Sequence, residues 1–184
     1  MINIRPCTKE EIQDLQNLND EIFIDNAKYD NDLDLKRLYK IRDVLLAETS
    51  LLEFLKQAWP IIEGSVPFID NWHLQVIAEH LEACYRREIK NLIINVPPRS
   101  GKTTLISVAF RAWVCIQVPE EKFMYASYAH SLSEEHGALC LTLLQSPWFR
   151  ENWGDRFSLS KTAISFLKNN KSGHRISTSV GGIG

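Results

Sequence analysis

The sequence predicts an α/β fold: a parallel β-sheet with helices on both faces, a helical arm before it and a β-hairpin at its end. Three observations carry this. Beyond about residue 66, five-residue apolar runs alternate with stretches of helical apolar periodicity. The connections between them are short, as in units that alternate strand and helix. The chain has 184 residues, 45% of them hydrophobic and 24% charged, which suits one ordinary globular domain and excludes global disorder. No apolar run approaches the roughly 18 residues of a membrane span. The opening residues MINIRPCTKEE lack the basic-then-apolar pattern of a signal peptide.

Residues 1–50 read as an acidic helical arm. Ile12, Leu15, Leu18 and Ile22 recur at helical spacing, and Leu35, Leu38, Tyr39, Ile41 and Leu45 suggest a second helix. The polar stretch Asp25 to Asp34 between them reads as a loop. A third helix runs from Leu51 to Trp59 and is expected to stop at Pro60. Gly64-Ser65-Val66-Pro67 then breaks the chain, so residues 51–184 are taken as the second unit.

Asn71-Trp72 opens a helix with the apolar face Leu74, Ile77, Ala78, Leu81, Cys84 and Tyr85. Leu92 to Val96 reads as a strand buried on both faces, Pro97 to Gly101 as a loop, and Lys102 to about Ile116 as a helix. Phe123 to Ser127 reads as a second buried strand. Ser131 is expected to cap the next helix, with Glu134 completing a capping box, and that helix runs to about Gln145, before Pro147. Ala163–Lys168 and His174–Ser179 flank the turn-rich Asn169 to Gly173, a hairpin signature.

Net charge is −2 and the isoelectric point about 6.2, so there is no overall basic signal for nucleic acid. Residues 1–50 hold seven Lys/Arg against eleven Asp/Glu, and the remainder fourteen against twelve. The four cysteines, Cys7, Cys84, Cys115 and Cys140, form no CxxC pair. Their placement favours reduced thiols over disulfides or zinc.

Ligands in sheets of this type bind beyond the carboxyl ends of the strands. There the sequence reads Val96-Pro97-Pro98-Arg99-Ser100-Gly101-Lys102-Thr103-Thr104. Gly-Lys-Thr fits the second half of GxxxxGK[ST], the phosphate loop. A loop entering a helix leaves backbone N–H groups free to face an anion. Gly101 admits the phosphates, Lys102 places charge on them and the Thr103 hydroxyl completes Mg²⁺ coordination. The first glycine of the pattern is replaced by Val96, and two prolines stiffen the loop.

Phe68 to Gln75, followed by Ile89 to Thr103, resembles the ATPase domain of tailed-phage large terminase subunits. Tyr125 to Tyr128 with Ser131 to Glu134, Ser146 to Phe149, and Ser179 to Gly182 are also similar to that family. The resemblance spans roughly residues 66–184. It implies a P-loop NTPase fold of the RecA/ASCE type, incomplete in these residues, that binds ATP and Mg²⁺. It implies nucleotide contacts by Gln75, Pro98, Arg99, Ser100, Gly101, Lys102, Thr103 and Thr104. Arg99 and Lys102 are the implied catalytic groups, Thr103 the metal ligand and Gln75 the reader of adenine, against a plain reading of Gln75 as a solvated helix residue. Trp72 either stacks on the base or packs against the sheet. Ser127, Tyr128 and His130 either touch DNA or form a helix-capping turn.

By the same resemblance the parent protein is an ATPase and endonuclease that drives DNA into the procapsid. Its implied partners are double-stranded DNA, the portal protein, a small terminase subunit and copies of itself in a ring. Its implied place is the cytoplasm of the bacterial host, transiently on the portal, with no membrane. Within that scheme residues 1–50 are either a docking surface for the small terminase subunit or the portal, or a plain packing extension of the domain. The strand ending in paired acids that hydrolysis requires is not found after Lys102, and the family places it, like the nuclease domain, beyond a glycine-rich segment such as Gly181-Gly182. No trans-acting arginine is assigned among Arg111, Arg150 and Arg156. A helicase-type ATPase and a nucleotide-binding remnant without turnover are the alternatives.

Overall fold

A computed structural model describes residues 32–179. The expected helix around Ile12–Ile22 and the glycines after Val180 lie outside the described residues. Contacts divide the chain after Thr49 into two units.

The first unit contributes helix α1 (Asp32–Thr49). Asp32 to Asp34, expected in a loop, already belong to it. Tyr39 stacks under the Arg42 guanidinium at 4.9 Å.

The second unit begins with α2 (Leu51–Ile62), whose N-cap Ser50 accepts from the Glu53 amide. Pro60 lies inside this helix rather than ending it. The proline removes only its own N–H, and the helix ends two residues later, so little ladder is lost. Helix α3 (Trp72–Tyr85) buries Leu74, Ile77, Ala78 and Leu81 of the face its periodicity predicts, while Cys84 and Tyr85 at its end are half-buried. Residues 102–117 are continuously helical. They include a π-helical turn, Thr104–Ala109, followed by α4 (Phe110–Gln117). Strand β1 (Lys122–Ser127), α5 (His130–Gln145) and α6 (Pro147–Trp153) follow. The chain then folds into β2 (Leu159–Ala163), β3 (Phe166–Asn169) and β4 (His174–Ser179).

The sheet has the order β1-β4-β3-β2. It is mixed, not wholly parallel: β1 and β4 pair parallel, while β4–β3 and β3–β2 pair antiparallel. The expected hairpin is therefore present with a shorter first strand, since Ala163 belongs to β2 and Asn169 to β3, and β2 extends it into a three-stranded meander. Asn169 fixes its turn. The buried side chain accepts from the Lys171 and Gly173 amides and donates to the Pro119 carbonyl at 2.7 Å.

Leu92–Val96 departs from expectation. It pairs with no strand among the described residues, and Ile93 is 87% exposed. A short apolar run is compatible with a buried strand, but burial needs neighbours on both edges. β1 also departs. Its residues alternate in exposure and Met124 is open to solvent, so one face is covered rather than two. Helix α5 starts at His130 with no side-chain cap, so Ser131 does not cap it. Ser133 instead donates to the Tyr125 carbonyl, 3.1 Å away, tying helix to strand.

The core joins α2 to α6. Phe54, Phe149 and Trp153 are fully buried and meet at ring-centroid distances between 5.3 and 6.4 Å. Such tilted and edge-on pairs add to the area they bury.

Candidate phosphate-binding loop

The loop follows the Leu92–Val96 run and enters the helical run at Lys102. Two of its residues lie in the left-handed region, Arg99 at φ 62° and Gly101 at φ 75°. Glycine meets this at no steric cost, whereas arginine is strained there. The first bond of the following helix is Leu105 N–H to the Gly101 carbonyl, 3.0 Å. The amides of Lys102, Thr103 and Thr104 precede it and have no acceptor within the helix. Amides so placed favour a negative charge.

Side chains from earlier in the chain hold this loop. A Cβ at Gly101 would lie 3.4 Å from Leu74 and 3.7 Å from the Trp59 ring, so apolar side chains floor it. Trp59 is fixed in turn by its indole N–H to the Val66 carbonyl, 2.9 Å, and by an edge contact with Phe68. His73 Nε2 lies 2.9 Å from the Ser100 carbonyl. Thr104 Oγ1 donates to Glu63 Oε1 at 2.7 Å. Lys102 Nζ turns back onto the Val96 carbonyl at 3.1 Å. The Ser100 hydroxyl is buried without a partner.

The residues Pro98 to Thr104 thus form one loop and helix start. Pro98 and Arg99 are exposed, and Ser100 to Thr104 are half-buried. Gln75 lies in the same first turn of α3 as His73. It is exposed and donates to Glu79 Oε1 at 3.2 Å. Trp72 is 76% exposed, so it does not pack against the sheet. At the end of β1, the Ser127 hydroxyl bonds to the Ala129 carbonyl, Tyr128 is exposed, and His130 lies 3.3 Å from Glu134.

Sequence reading missed Glu63, Trp59 and the role of His73. His73 falls inside the motif that resembles terminases, but nothing in its letter points to the Ser100 carbonyl. Glu63 lies 41 residues before Thr104, and no local pattern connects them. The π-helical turn after the loop has no sequence signal either, although such turns gather at functional sites.

Of the three arginines left undifferentiated, Arg111 is fully buried and its three guanidinium nitrogens have no hydrogen-bond partner. It presents nothing to a neighbouring subunit. Arg86, Arg87 and Lys90 follow α3, and Arg87 reaches Glu121 at 2.9 Å. A groove of about 440 Å³ opens there, lined by Tyr85, Phe110 and Phe123 among others, and includes no phosphate-loop residue. Among the described residues no cluster of three or more His, Cys, Asp or Glu could hold a metal. No helix of the described residues is long and apolar enough to cross a membrane.

Compared with family models, with curated proteins and with solved structures, the chain matches none.

Proposed function

We propose that this chain is the ATP-binding part of a viral DNA-packaging motor resembling the large terminase subunits of tailed phages. The single observation behind this reading is the arrangement of Gly101-Lys102-Thr103 at a helix start. Gly101 takes a positive φ, the next three amides lack helical acceptors, and a buried Ser100 hydroxyl has no partner. That donor set fits a polyphosphate.

In this reading the amides of residues 102–104 and Lys102 hold the phosphates, and Arg99 stands exposed for the γ-phosphate. The Thr103 hydroxyl ligates Mg²⁺, and Gln75 reads adenine. Exposed Trp72, in the same turn as Gln75, offers a face for the base. Bound Mg²⁺ neutralises phosphate charge. The complete motor would act on double-stranded DNA in the host cytoplasm. There it docks on the portal protein with a small terminase subunit and copies of itself, cutting DNA with a nuclease domain.

One observation favours binding without turnover by these residues alone. The parallel strands β1 and β4 end in Ser127 and Ser179, so neither brings a carboxylate to the sheet's carboxyl edge.

Titration with a fluorescent ATP analogue and Mg²⁺ tests the proposal. Lys102→Ala should weaken binding about 100-fold, as loss of charge-assisted hydrogen bonds does. Equal affinity of the two proteins would refute it.

A further inference from the structure

The carboxylate at the end of α2 stands beside a site meant for anions, which calls for an explanation. Glu63 is the C-cap of α2, and its amide bonds to the Trp59 carbonyl at 2.8 Å. Gly64, at φ 62°, then reverses the chain. Glu63 is therefore held by backbone, and Trp59, four residues earlier, floors Gly101. From that fixed point Glu63 Oε1 accepts the Thr104 hydroxyl at 2.7 Å. Thr104 is where the helix opens into its π turn. Two residues into that turn, the Tyr125 hydroxyl of β1 reaches the Ile106 carbonyl at 3.3 Å. The widened turn is thus pinned from outside, by α2 at its first residue and by β1 at its third.

From this we infer that Glu63 is a positioning residue for the phosphate loop. It anchors Thr104, and through it the turn that presents Lys102 and Thr103 to a nucleoside triphosphate. The inference rests on the nucleotide-binding reading above. The hydrogen bond and the charge act in opposite directions. The bond organises the loop, while a negative charge near the helix start repels polyphosphate. Glutamine keeps an acceptor oxygen without the charge, and alanine keeps neither.

The experiment is a titration of the 184-residue protein with fluorescent ATP analogue and Mg²⁺. It compares Glu63→Ala, Glu63→Gln, Thr104→Val, Thr104→Ser, the double variant Glu63→Ala/Thr104→Val, and Lys102→Ala. Thermal unfolding of each variant is followed alongside. Glu63→Ala and Thr104→Val should each weaken binding about 5- to 10-fold, the scale of one net hydrogen bond. The double variant should be no weaker than either single one. Glu63→Gln and Thr104→Ser, which keep the bond, should bind at least as tightly as the parent. A merely structural role would lower the melting temperature without this pattern of loss and rescue. If Lys102→Ala loses binding but Glu63→Ala and Thr104→Val do not, the role of Glu63 is overturned and the nucleotide site stands. The same holds if Glu63→Gln is as weak as Glu63→Ala. If Lys102→Ala binds like the parent, both fall together.

Discussion

His73 Nε2 donates to the carbonyl oxygen of Ser100 across 2.9 Å and 27 residues of sequence. The bond joins the first turn of α3 to the middle of a loop that lacks the usual run of glycines. Pro97 and Pro98 limit the loop on one side, and His73 fixes a carbonyl between the strained Arg99 and Gly101. Stiffness here comes from ring constraint and a side-chain tether.

Removing that tether should loosen the loop. His73→Ala is expected to weaken binding of the Mg²⁺-ATP analogue about fivefold, close to one net hydrogen bond. His73→Gln, which restores a donor, should recover part of the loss. Fluorescence titration reads both, and unchanged affinity in His73→Ala would count against the tether.

Arg111 is expected to oppose stability. Its guanidinium is fully buried and makes no hydrogen bond, and an uncompensated buried charge is costly. Arg111→Met preserves length and removes the charge. It should stabilise by about 1–4 kcal/mol, as in buried ion pairs replaced by apolar groups, and raise the melting temperature by several degrees. A lower melting temperature would refute this account of Arg111.

The β3–β4 turn should tolerate little. A Cβ at Gly173 would stand 1.9 Å from the Pro119 carbonyl. Asn169→Ala would leave that carbonyl and two amides without their bonds. Each substitution is expected to destabilise by about 2–4 kcal/mol, read by urea unfolding.

Burial pushes the Cys115 thiol up to about 11, and raises those of Cys140 and the Tyr125 phenol. These groups keep their protons in the folded protein at pH values where the unfolded chain loses them. The stability that Cys115 contributes is complete below pH 9, near the unfolded thiol value, and drains away as pH climbs towards 11. Thermal melts from pH 8 to 11 should fall accordingly. At pH 8, iodoacetamide should modify half-buried Cys84 well before Cys115 or Cys140.

Much of the fold was legible because periodicity encodes burial. The α3 face of Leu74, Ile77, Ala78 and Leu81 is one case, and the β3–β4 hairpin around Gly173 is another. Pro60 misled because a proline near a helix end costs less than one in its middle. Ser131 misled because the capping pattern was present while the N-cap position falls on Ala129, two residues earlier. Leu92–Val96 misled because apolar letters state what a segment prefers and not whether a neighbour is there to pair with it. At the loop, Gly101, Lys102 and Thr103 were visible as a local motif. Glu63 and His73 were not, since their contacts exist only after α2 and α3 have packed.

The run from Leu92 to Val96, unpaired among the described residues, bears on how the protein behaves in a tube. An exposed apolar run with unpaired backbone groups is a template for other chains to pair with. Among the described residues the outer edge of β1 is likewise unpaired, since β1 ends the sheet. Colloidal behaviour should therefore depend on concentration in a way the modest net charge does little to counter. A lysine at position 93, where the side chain is almost wholly in water, is the change that would blunt the strip without touching the loop it feeds.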